Sequence, residues 1–149
     1  MTDCVEKLRS AFVALSHDQQ SPEDLPDVAS RALAHGVDVP ALRELAALGR
    51  QDPREARDLF LLAMAQLGIE PPTRWDAVRS WARQIVNGTI EPYEGARLIW
   101  WQGWEALGRP DELTPFVGLA SEWEDDPGRR AAYDDDIVSA ARRLLAPPA

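Results

Sequence analysis

Cysteine, lysine and histidine are nearly missing from this sequence, and each scarcity closes off some chemistry. Of 149 residues one is cysteine, Cys4, so the chain closes no disulfide within itself and a reducing, cytoplasmic setting is expected. Cys4 reads as a small packed residue in a first helical turn, with only Lys7 near it in sequence to activate a thiol. The two histidines, His17 and His35, lie beside expected helix ends and not at i, i+4 spacing. They read as partners of helix C-termini or as surface residues. With no cysteine pair either, no metal site is expected, and no cofactor. The sequence holds no phosphate-cradling glycine loop, nucleophile elbow or kinase signature. It has no run of about 18 apolar residues, so no transmembrane helix is expected. Nor does a basic flank lead into an apolar stretch at the N-terminus, so no signal peptide is expected.

Positive charge is short as well. Sixteen basic residues face twenty-five acids, giving a net charge of −9. That balance argues against binding a nucleic-acid backbone, which needs clustered Lys and Arg, and leaves room for a basic protein partner. Lys7 is the sole lysine. The arginine bias, with abundant Ala, Asp and Pro, suggests a GC-rich bacterial genome. Alternating β-branched segments are missing too, so no sheet is expected.

What remains is helix grammar. Ser21-Pro22-Glu23-Asp24, Asp52-Pro53-Arg54-Glu55 and the weaker Glu91-Pro92-Tyr93-Glu94 place a cap, a proline and first-turn acids at three helix starts. Asp3 with Glu6 and Thr73 with Asp76 mark two more. Gly36, Gly68, Gly88 and Gly108 fall where helices should stop. Apolar stripes at helical spacing run through Val5, Leu8, Phe12 and Leu15, through Leu42, Leu45, Ala46 and Leu48, through Val78, Trp81, Ala82 and Ile85, and through Phe116, Leu119, Ala120 and Trp123. Leu59 to Ala65 and Leu98 to Trp101 are apolar nearly all round, which places both at the centre of the fold.

The two halves of the chain can be laid on one another. Leu8-Arg9-Ser10-Ala11 matches Val78-Arg79-Ser80-Trp81, 70 residues on. Ala34 and Gly36 match Ala106 and Gly108 at 72, and Leu45, Ala46, Asp52 and Pro53 match Leu119, Ala120, Asp126 and Pro127 at 74. The expected fold is therefore all-α, a single-domain bundle of about eight short helices over residues 1–149. It consists of two diverged four-helix repeats, 3–69 and 74–146, joined by a linker at 70–73 and packed on each other.

Two features stand out in the second repeat. All six tryptophans lie there: Trp75, Trp81, Trp100, Trp101, Trp104 and Trp123. Trp100 and Trp104 share a helical face with Tyr93, as core or as the lining of a ligand pocket, while Trp101 is turned toward solvent. Acids also crowd between Ser121 and Asp136. Seven of them (Glu122, Glu124, Asp125, Asp126, Asp134, Asp135 and Asp136) stand against Arg129 and Arg130, −5 of the total −9. A turn at Pro127-Gly128 should bring the two acidic clusters together. Three consecutive aspartates fan too widely on a helix to reach one ion. A solvated face is the plain interpretation of these acids.

Functionally, the expectation is a non-catalytic interaction protein of the immunity or antitoxin type. Its seven acids would steer a basic partner that Trp101 or Trp123 anchors. The alternative is a small-molecule binder or sensor built on Tyr93, Trp100 and Trp104. An enzyme is the weaker third choice, resting on Glu91, Glu94 and Glu105 beside the aromatics.

Overall fold

Proline sits in the first turn of most helices in the computed structural model, which describes residues 2–147. The chain divides into two compact units, Met1–Pro72 and Thr73–Ala149. Each holds four α-helices, and no strand forms among the described residues. Among those residues, too, no helix is long and apolar enough to cross a membrane.

The first unit contains α1 (Thr2–Ser16), α2 (Leu25–Ala34), α3 (Pro40–Leu48) and α4 (Pro53–Gln66). Asp52 caps α4 by accepting a bond from the Glu55 amide at 3.1 Å. Ser21 makes no such cap. The prolines that follow it instead shape a 3-10 turn, Pro22–Asp24, that feeds α2. α2 packs on α3 and α3 on α4. Leu8, Phe12, Leu15, Leu25, Leu42, Leu45, Phe60 and Met64 form one aliphatic core with two phenylalanines. Phe12 meets Phe60 edge-on, with ring centroids 6.0 Å apart. Cys4 is buried in this core as a free thiol. The expectation of an all-round buried α4 is corrected, because Leu61 and Leu62 are 37% and 49% exposed. The helix presents one face to its core, and an apolar sequence does not by itself say how many sides are covered.

The second unit contains α5 (Arg74–Asn87), α6 (Pro92–Leu98), α7 (Thr114–Asp125) and α8 (Arg130–Leu145). Thr73 and Asp76 form a reciprocal capping box at the start of α5. Gly88 ends α5 in the left-handed conformation, φ 79°, which glycine adopts at little cost. α5 and α7 each pack on α8, and α6 packs on α7. Val78, Trp81, Ala82 and Ile85 are all buried, as their spacing implied, together with Ile99, Leu113, Phe116 and Ile137. Each large apolar side chain removed from water contributes about 1.5–3 kcal/mol.

α6 does not end at Leu98. It runs on as a π-helical segment, Ile99–Trp104, in which the Glu105 amide reaches back to the Trp100 carbonyl at 3.0 Å. Gly103 lets this segment lie against α5, since a Cβ there would stand 2.7 Å from Val78 Cγ2. The expectation that Leu98 to Trp101 is central is therefore only partly met. Ile99 is fully buried, while Trp101 is 53% exposed.

Candidate functional site

The turn between α7 and α8 gathers most of the residues that sequence reasoning singled out. α7 ends at Asp125, a 3-10 turn covers Pro127–Arg129, and α8 begins at Arg130. Two contacts seven residues apart in sequence close this corner. The Arg130 Nε donates to the Trp123 carbonyl at 3.0 Å, and the Tyr133 hydroxyl donates to Asp126 Oδ2 at 2.9 Å. A third reaches eleven residues, with Trp123 Nε1 donating to Asp134 Oδ1 at 3.0 Å. The two acidic clusters are thus stitched together across the turn.

The Trp123 indole is sandwiched. Tyr93, from α6, stacks on it with centroids 3.9 Å apart and planes inclined by 13°. The Arg130 guanidinium carbon lies 3.8 Å from the same ring centroid. At such distances the two groups occupy opposite faces, so the stack runs phenol, indole, guanidinium. A cation over an indole face adds electrostatic attraction to the packing, and the Trp123–Asp134 bond fixes the ring in its plane. Burial, followed by a hydrogen bond with Glu124, raises the Tyr93 pKa above its ordinary value. The Tyr133 pKa is raised first by its bond to Asp126 and then by burial. In both cases the phenol stays neutral to higher pH, because burial (foremost at Tyr93) and a neighbouring carboxylate (foremost at Tyr133) both disfavour a phenolate.

The expected docking residues consequently fall into two groups. Asp126, Asp134 and Trp123 are engaged within the corner, and Glu124 is engaged with Tyr93. Asp126 also has Arg129 Nε at 3.9 Å. Glu122, Asp125, Asp135 and Asp136 are exposed, and none of them forms an ion pair among the described residues. Trp101, more than half exposed, stacks on Trp100 with centroids 4.8 Å apart and planes at 13°.

No protein-family model, curated protein or solved structure matches this chain.

The three residues expected to line a ligand pocket each have a different neighbour. Tyr93 belongs to the Trp123 stack, Trp100 lies on Trp101, and Trp104 carries the Arg109 guanidinium at 5.1 Å. Tyr93 lies on α6, while Trp100 and Trp104 lie on the π-helical segment Ile99–Trp104, and each ring finds its own partner. The Trp104 indole nitrogen is buried and meets no acceptor among the described residues. Of the carboxylates near the aromatics, Glu91 and Glu94 are exposed, and Glu105 pairs with Arg109 at 3.6 Å. No three His, Cys, Asp or Glu among the described residues come together as a metal-holding group.

Sequence reasoning missed Tyr133 and Arg130 as members of this corner. The available signal was their shared separation of seven residues from Asp126 and Trp123, across a turn that folds one helix back on the next.

Proposed function

We propose that this protein is a non-catalytic, cytoplasmic inhibitor or adaptor that binds a basic protein partner through the acidic corner of α7 and α8. The observation that carries this reading is the set of exposed carboxylates on Glu122, Asp125, Asp135 and Asp136, unpaired among the described residues, on two helices locked by the Tyr93–Trp123–Arg130 stack. A rigid frame bearing unneutralised charge of one sign steers association and penalises partners of the same sign. The internal bonds of Trp123, Asp126 and Asp134 give those three a framing role, which leaves the contact itself to the exposed acids and Trp101.

The test is capture of a basic protein at low salt, followed by titration calorimetry of the purified pair. The double variant Asp125→Lys, Asp135→Lys should abolish retention and leave the helical circular dichroism intact. Retention indifferent to that charge reversal would overturn the proposal.

A second reading, a small-molecule site on the aromatic segment, is favoured by one atom. The Trp104 indole N–H is a buried donor with no acceptor among the described residues, and such groups generally find a partner. Saturable quenching of tryptophan emission by a carbonyl-bearing apolar ligand, lost in Trp104→Phe, would support it. Equal quenching in the variant would remove it.

A further inference from the structure

We infer that Trp101 is the ring on which this protein receives an arginine side chain of its basic partner, the guanidinium lying flat on the indole face that Trp100 does not cover. This rests on the interaction reading above and names the chemistry of the anchor.

The first reason is the state of Trp101. Among the described residues it is the most exposed of the large apolar side chains, at 53%. One face is held on Trp100 at 4.8 Å and 13°, so the ring is already oriented before anything binds. A pre-oriented aromatic loses little conformational freedom on binding, which is why such rings serve as anchors.

The second reason is how the chain treats its other indoles. Arg79 lies 5.9 Å from the centroid of Trp75, Arg109 lies 5.1 Å from Trp104, and Arg130 lies 3.8 Å from Trp123. Trp81 is fully buried, and Trp100 is covered by Trp101. Only Trp101 pairs a wide exposure with no arginine of its own chain over the ring, among the described residues. The arginine nearest in helical spacing, Arg97, is one turn earlier, and its charge acts on the Tyr93 hydroxyl. Arg109 is held by Glu105 and the Trp104 ring.

The third reason is charge. At a net −9 the molecule as a whole favours association with cationic partners over anionic ones. Arginine fits better than lysine, since its planar, weakly hydrated guanidinium stacks on an aromatic face while an ammonium keeps its water.

The experiment uses the full chain, 15N-labelled, titrated at low salt with a capped Gly-Arg-Gly-Arg-Gly peptide and with the same peptide carrying citrulline. The Trp101 indole N–H signal is assigned by its loss in Trp101→Ala. It should move saturably with the arginine peptide and stay still with the neutral one. Trp101→Ala should weaken arginine-peptide binding by roughly two- to fivefold, the effect of one exposed cation–π contact. Trp101→Phe, which keeps a ring, should retain most of the affinity.

An unmoved Trp101 signal, an equal response to citrulline, or undiminished binding by Trp101→Ala would each overturn the inference. So would a Trp101 signal that shifts with protein concentration instead, because the face would then belong to contacts between copies. If the amides of Glu122, Asp125, Asp135 and Asp136 shift while Trp101 does not, the acidic docking face survives and only the anchor fails. If Trp101 responds and reversal of Asp125 and Asp135 changes nothing, the anchor stands and the acidic face fails.

Discussion

Residues 2–72 and residues 73–147 use the same helix starts and stops to different ends. In the first unit the helices close over aliphatic side chains and the Phe12–Phe60 pair. Its ion pairs, such as Arg50 with Asp24 at 2.7 Å, lie on exposed side chains, where solvent screening leaves them little to contribute. In the second unit the helices are joined by indoles, a π-helical segment and a hydrogen-bonded corner of Tyr, Asp and Arg. The lesson is that helix grammar fixes where a chain turns, while the residues placed between the turns decide whether the result is only packed or also carries surface chemistry.

The sharpest way to break this comparison is to hollow each core. Trp81→Ala and Phe60→Ala remove fully buried rings, and each should cost about 3–5 kcal/mol in chemical denaturation. A loss under about 1 kcal/mol for Trp81→Ala would mean the second unit is not built on its indoles. Next comes Gly103→Ala, which puts a methyl group 2.7 Å from the stiff Val78 side chain. It should cost about 1–3 kcal/mol, against the modest gain alanine brings to an ordinary helix. A stabilised variant would show that the segment can move off α5.

Smaller effects probe the corner. Asp134→Ala strips the Trp123 N–H of its acceptor and should lower stability by about 1 kcal/mol, while Asp136→Ala, one turn-edge away and exposed, should change it by less than about 0.5 kcal/mol. Equal losses would remove the distinction between framing and docking acids. The smallest effect is alkaline. Folding raises the Tyr93 and Tyr133 pKa values above that of the unfolded chain, about 10. The stability they contribute is therefore whole below that pH and is lost as pH rises through the folded values. Tyr93→Phe with Tyr133→Phe should flatten the fall in denaturation midpoint above about pH 10, and an unchanged slope would dismiss the two phenols as its cause.

Much of the fold was legible because its signals are local. The Thr73–Asp76 box, the Asp52 cap, the Gly88 stop and the Val78–Trp81–Ala82–Ile85 stripe each depend on residues within a turn or two of one another. The acidic crowding beside Pro127-Gly128 was legible for the same reason. Three things were not. The 3.6-residue period on which face assignments rest announces neither the π-helical segment nor what each ring packs on, so Tyr93, Trp100 and Trp104 were grouped although each has a different neighbour. An apolar run such as Leu59 to Ala65 shows what can be buried and not what is, so the exposure of Leu61 and Leu62 was out of reach. The Trp123 sandwich needed three helices in place before its members could be recognised.

The uneven placing of tryptophan has a practical consequence. Both tyrosines, Tyr93 and Tyr133, also fall after residue 72, so near-ultraviolet absorbance, emission and near-ultraviolet dichroism report almost wholly on the C-terminal half. A fragment of residues 1–72 would be close to invisible at 280 nm. Melts of the whole chain followed at these wavelengths would track one half, and far-ultraviolet dichroism would be needed to see the helices of the other.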